Sequence, residues 1–156
     1  MTPQFLPATV LTLASHGRQL RLHLDVVGAP PCELDLEVPA AAGHALAHIH
    51  ALHGHTTGCR GQVDVHVDLL LRCCRLLGGG QPRLLVRGGT APAFWLEVTT
   101  PAGEQAHVDV GTLDAVVLLA SRRVPVGVQV GAEPVDAGQV ESEDWDAALR
   151  RLLDDG

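Results

Sequence analysis

The segment from Phe94 to Val128 constrains the fold more than any other part of this 156-residue chain. It opens with a run of β-forming residues at 94–98, which closes at the turn composition Pro101-Ala102-Gly103. A second run at 106–110 then alternates apolar and polar residues, as a half-buried strand does. These two runs predict a β-hairpin.

A helix and a further strand are predicted directly after the hairpin. Thr112 is a candidate N-cap and Asp114 an early acid, both typical of a helix start, and the apolar run 115–120 follows them. Val124-Pro125-Val126-Gly127-Val128 has the composition of a strand. The segment is thus predicted to run strand, strand, helix, strand.

This order and spelling resemble the bifunctional nuclease domain family. Near its C-terminus the family has an Asp, a Pro-Ser-Asp helix start, an Ala/Leu-rich helix and a Val-Pro-Ile strand. The matching residues here are Asp109, 111–115 and 124–126. Upstream, His44 to Gly54 is similar to the family's Glu-Ala-x-Ala-Ile helix ending in Leu-x-Gly, and Asp68-Leu69-Leu70 is similar to its Thr-His-Asp-Leu-Leu helix start. The ordered matches span roughly residues 8 to 130.

The resemblance implies metal-dependent hydrolysis of DNA or RNA, with Asp109 and Asp114 as catalytic residues and metal ligands. It also implies a homo-oligomer, a dimer or larger. The chain departs from the family pattern where His44 replaces its Glu, Val67 replaces the His before its Asp, and Gly111 replaces its Arg. A second interpretation therefore stays open, in which the chain is a non-catalytic oligomeric module for binding or regulation.

The residues themselves indicate a possible metal site in the same segment. His107 and Asp109 are two apart on a predicted strand and so leave the same face, and Asp114 begins the helix just beyond. Carboxylates with one imidazole suit Mg²⁺ or Mn²⁺. The alternative is structural: Asp109 accepts hydrogen bonds from backbone amides of a turn, and Asp114 interacts favourably with the helix dipole.

A histidine-rich segment offers a second possible metal site. His44 and His48 share one face of a predicted helix at a spacing that Zn²⁺ or Ni²⁺ would accept. The alternative is an ordinary polar helix face, since the spacing matches no known zinc motif. The segment holds His44, His48, His50, His53 and His55, followed by Cys59.

The rest of the first 130 residues predicts an α+β domain. Strands are expected at 8–14, 19–27 and 32–38, helices at 39–53 and from about 66, and a further strand group from Pro82. Strands and helices are grouped rather than alternating. We therefore expect a single α+β domain with an antiparallel, strongly bent sheet of about six or seven strands, packed with three or four helices.

A second unit is predicted at the C-terminal end. We divide the chain into a bifunctional-nuclease-like domain at 1–131, and an acidic linker with an amphipathic helix at 132–156. The stripe of this helix could dock on the same domain or on a second subunit. It consists of residues at i, i+3, i+4 and i+7: Trp145, Ala148, Leu149 and Leu152.

Charge and hydropathy narrow the classes of partner. The net charge of −7 disfavours a general nucleic-acid binder, which uses cations to face phosphates. No apolar run reaches the roughly 18 residues that a membrane span needs, so no membrane association is expected. The N-terminus shows no secretory signal, which predicts a cytoplasmic protein.

Overall fold

The computed structural model describes residues 3–53 and 62–130. Within these residues the chain forms seven strands and three helices: β1 (Gln4–His16), β2 (Gln19–Val26), β3 (Cys32–Glu37), α1 (Ala40–His53), α2 (Gln62–Leu76), β4 (Arg83–Arg87), β5 (Ala93–Thr99), β6 (Gln105–Asp109), α3 (Thr112–Ser121) and β7 (Val126–Val130).

All seven strands belong to one strongly curled sheet with the order β3-β2-β1-β7-β4-β5-β6. Neighbouring strands are antiparallel except for β4 and β7, which are parallel. The predicted α+β domain with a bent, largely antiparallel sheet is confirmed. The parallel pair was not predicted, and it arises because α3 carries the chain from the sheet edge back to the centre, so that β7 runs in the direction of β6 and β4.

The first three strands form an antiparallel meander, and buried and exposed side chains alternate along β2 and β3. On β2, Leu20, Leu22 and Leu24 are fully buried, whereas Arg21 and Asp25 between and beyond them are exposed. β1 is longer than predicted, and its register with β2 shifts between Val10 and Thr12.

The main core lies between the helices and one face of the sheet. α3 buries Val116, Leu119 and Ala120 there, together with the strand residues Leu84 and Val86. No helix in the described ranges is long and apolar enough to cross a membrane.

The second helix begins earlier than its sequence suggests. It starts at Gln62, not near residue 66, although 63–67 alternates like a strand. This segment is helical because Val67 and Leu71, one turn apart, are both buried against the core. Such packing outweighs a weak local preference for a strand. Asp68 consequently lies within the helix and is not a cap; its carboxylate pairs with the guanidinium of Arg123.

The start of α3 also differs from the prediction. The N-cap is Gly111 and not Thr112, and no side chain caps the helix. The backbone explains the difference, because the amide of Val110 still donates to Phe94 of the sheet and the carbonyl of Gly111 already accepts from Ala115. Only Val110 and Gly111 separate β6 from α3.

Candidate functional site

Asp109 and Asp114 line the same open cleft, which has a volume of about 270 Å³. The cleft lies between α2, α3 and the end of β6, and apart from these two acids its lining is apolar: Val67, Leu70, Leu96, Val110, Val117 and Leu118. Both aspartates are exposed. The structure thus places two aspartates beside a pocket with apolar walls.

Asp109 and Asp114 line one cleft because the connection from β6 to α3 is short. Asp109 is the last residue of β6, and Asp114 lies in the first turn of α3. A Cβ placed on Gly111 would lie 3.8 Å from Asp114 Oδ2, an ordinary van der Waals contact, so the cleft does not depend on this glycine. Asp114 also lies where the helix dipole favours an anion. Asp114 can therefore interact with the helix dipole and line the cleft at the same time.

His107 makes its contact elsewhere. Its Nε2 lies 3.2 Å from Glu97 Oε2 on the neighbouring strand, and Arg83 Nε donates to Glu97 Oε1 at 3.1 Å. Glu97 is only 13% exposed, so its carboxylate is held between the imidazole and the guanidinium. In residues 3–53 and 62–130 no group of three His, Cys, Asp or Glu side chains is placed to hold a metal ion. The cleft is therefore lined by two aspartates and by no histidine.

The cluster of Arg83, Glu97 and His107 was not predicted as a unit. In the observed register Arg83 lies opposite Glu97, and Glu97 lies opposite His107. The predicted hairpin implies one of these two pairings, because pairing 94–98 with 106–110 already places Glu97 opposite His107. The pairing of β4 with β5 could not be read from local composition.

The described histidines of the His-rich segment lie in different environments. Ser15 Oγ and His44 Nδ1 are hydrogen-bonded at 3.1 Å. His50 is 5% exposed, and its Nε2 accepts a hydrogen bond from Arg122 Nε at 2.9 Å. His50 is therefore not part of an exposed polar helix face. The side chain of His48 and residues 54–61, with His55 and Cys59, lie outside the described residues, so the Zn²⁺ or Ni²⁺ site stays a prediction.

A second cleft of about 260 Å³ lies at the other end of α3 and carries cations. Its lining includes Thr9, Arg122, Arg123 and Val126. α3 has ten residues, so about 15 Å separate its two ends. Arg123 is paired with Asp68 and Arg122 with His50, which ties the C-terminal end of α3 to α1 and α2.

No protein-family model matches the sequence, and a search of curated proteins finds no match. The cleft and its two carboxylates are thus the basis for a functional proposal.

Proposed function

We propose that the protein is a phosphodiester hydrolase that uses Mg²⁺ or Mn²⁺ and acts on DNA or RNA. The observation that supports this most is the presence of Asp109 and Asp114 in one cleft. Mg²⁺ is typically bound by one or two carboxylates together with substrate phosphates, so a two-carboxylate site fits this metal without a third protein ligand. Carboxylate oxygens are also the donors that Mg²⁺ and Mn²⁺ prefer.

Each residue of the cleft has a distinct role in this proposal. Asp109 and Asp114 hold the metal ion, which supplies Lewis-acid chemistry at the phosphodiester. Val110 and Val117 form part of the apolar wall beside these aspartates. His107 is assigned no role, because it is bonded to Glu97 on the neighbouring strand.

The test is digestion of single-stranded and double-stranded DNA and RNA with Mg²⁺ or Mn²⁺. The wild-type protein is compared with the double variant Asp109→Asn/Asp114→Asn, which keeps the size of both side chains. We expect activity to fall by at least about 10²-fold, because both groups that hold the metal lose their charge. Asp25→Asn is the matched control, since Asp25 is an exposed aspartate on β2, away from the cleft, and its loss should leave activity unchanged.

Two outcomes would count against the proposal. Full activity in the double variant would show that these aspartates do not carry the reaction. No activity in the wild-type protein with either metal and any of the four substrates would favour a non-catalytic role.

A second candidate function is an oligomeric binding or regulatory module, which an exposed face of α2 favours. Leu69 and Leu76 are 61% and 86% exposed, and exposed Cys73 lies between them on the same face of the helix. A row of exposed apolar side chains is typical of a contact between proteins. We propose a second copy of this chain as the partner.

Sedimentation velocity over a roughly hundredfold range of protein concentration tests this second candidate. The wild-type protein should sediment as a dimer or larger species, and Leu69→Glu/Leu76→Glu should shift it to a monomer. Val27→Glu makes the same chemical change at an exposed turn residue and should leave the assembly intact. A monomeric wild-type protein at every concentration would refute the oligomer.

A further inference from the structure

We propose that the cleft at the C-terminal end of α3, lined by Arg122 and Arg123, is a binding site for a phosphate group. Its volume of about 260 Å³ suits a small anion, because clefts for larger ligands exceed about 300 Å³. The other lining residues are uncharged: Ala8, Thr9, Val10, Val124, Pro125 and Val126. All the charge in the lining is therefore positive.

The backbone at Arg122 indicates that this position is kept for its side chain. Its φ of 55° and ψ of 18° are left-handed, and in residues 3–53 and 62–130 it is the one non-glycine residue with a positive φ. Glycine is the usual residue at such a helix end. The amide of Arg122 bonds to the carbonyl of Leu119, which a glycine amide would do equally well. The helix end itself therefore does not require an arginine.

The guanidinium of Arg122 is held in place without being neutralised. Its Nε donates to His50 Nε2 at 2.9 Å, and because a guanidinium only donates, that nitrogen carries no proton and the imidazole is neutral. Four other arginines of the described ranges pair with carboxylates, among them Arg123 with Asp68, whereas Arg122 pairs with none. Its two terminal nitrogens have no hydrogen-bond partner in these ranges and are donors for a ligand.

A phosphate group suits this pair of cations. It carries a charge of about −1.5 to −2 at neutral pH, so one group can face both Arg122 and Arg123. The terminal nitrogens of a guanidinium match two oxygens of a phosphate. Because Arg122 is already fixed at Nε, it loses less side-chain freedom on binding than a mobile surface arginine does. Both arginines are exposed, so an ion can reach them.

This site is separate from the proposed hydrolytic site. The cleft of Asp109 and Asp114 lies at the other end of α3, about 15 Å away, and binding of phosphate requires neither acid. The inference therefore holds whether or not the protein hydrolyses phosphodiesters. Two sources supply the group, inorganic phosphate and the terminal phosphate of a nucleotide.

Isothermal titration calorimetry in a phosphate-free buffer of constant ionic strength tests the site with inorganic phosphate and, separately, with 5′-AMP. We expect a dissociation constant of about 1 mM or tighter, as a few charge-assisted hydrogen bonds to a small ion allow. Tighter binding of 5′-AMP would support a nucleotide as the source, and tighter binding of inorganic phosphate would support the free ion.

Charge-removing variants assign the binding to the cleft. Arg122→Gln keeps an N–H donor for His50 but removes the charge, and it should weaken binding at least about tenfold. Arg75→Gln removes an exposed charge of α2 outside the cleft and should bind as the wild-type protein does. If Arg122→Gln does not fold, Arg122→Lys replaces it, and the loss of the paired terminal donors should again weaken binding.

Three results would overturn the proposal. The wild-type protein shows no saturable binding of either ligand. Arg122→Gln, with a native far-UV circular dichroism spectrum, binds as tightly as the wild-type protein, which identifies an adventitious ion only. Alternatively, Arg75→Gln weakens binding as much as Arg122→Gln does, in which case the net charge and not the cleft attracts the ion.

Discussion

Leu85 shows how one residue stabilises the face of the sheet that carries no helix. It alternates with the core residues Leu84 and Val86 and so points to the opposite face, yet it is only 1% exposed. It is covered because Gly127 beside it has no side chain; a Cβ there would lie 3.2 Å from Leu85 Cδ2 and 3.4 Å from Phe5 Cβ. Trp95 lies opposite Leu85 on β5. A small second apolar cluster results.

Leu85→Ala should therefore destabilise the protein as strongly as a substitution in the main core. We expect the free energy of unfolding to fall by about 2–5 kcal/mol, because a buried leucine leaves a cavity. Chemical denaturation measures the change. Leu11→Ala, at an exposed leucine of β1, is the control and should change stability by less than about 0.5 kcal/mol. A similar effect of both substitutions would contradict the second cluster.

The described cysteines should differ in reactivity. Burial raises the pKa of Cys32 and of Cys74, and the neighbouring Cys73 adds to the effect at Cys74. Cys73 itself is exposed. Since the thiolate is the reactive form, a thiol reagent at neutral pH should modify Cys73 first and the other two slowly. A Cys59→Ser background isolates these three thiols, and equal rates for all of them would contradict the prediction.

At the scale of elements, the junction between α2 and β5 depends on one close approach. Gly79 follows the end of α2, and a Cβ on it would lie 2.5 Å from the backbone oxygen of Thr99. Backbone cannot move aside as a flexible side chain can. The next residue, Gly80, has ordinary clearance, because its Cβ would lie 3.8 Å from the side chain of Thr99.

Gly79→Ala should thus lower the free energy of unfolding by about 1–3 kcal/mol, the cost of forcing a backbone shift. Gly80→Ala adds the same methyl group one residue later and should change stability by no more than about 0.5 kcal/mol. Thermal unfolding of both variants decides the comparison. If Gly79→Ala is as stable as Gly80→Ala, α2 and β5 are not in the contact described.

Local pattern predicted the elements of this fold better than their arrangement. The hairpin of β5 and β6 and the burial alternation of β2 were predicted because turn composition and period two are local signals. The insertion of β7 between β1 and β4 was not, since partners distant in sequence leave no local pattern. For the cleft, the short spacing in sequence predicted that Asp109 and Asp114 lie near each other. The apolar wall from α2 could not be predicted, because it depends on tertiary packing.

For the whole molecule, net charge determines how nucleic acid should bind. At −7, the chain repels a phosphate backbone unless a cation lies between them. We expect no binding to DNA tighter than about 10⁻⁴ M in the presence of EDTA at physiological salt, the weak end of nonspecific affinity. Filter binding with a labelled duplex measures this. Micromolar binding in EDTA would show that an arginine surface, and not a metal ion, recognises the phosphates.

The central place of β7 also has a consequence during synthesis. Two groups of strands, β1 to β3 and β4 to β6, are complete before it, and only β7 joins them by pairing with β1 and β4. Ribosomes add roughly 5–20 residues per second, so for several seconds the nascent chain can hold two half-sheets, each with an unpaired edge. Such edges pair readily with other chains. A chain whose synthesis ends before Val126 would therefore have two separate sheets, with the edges of β1 and β4 that normally pair with β7 left unpaired.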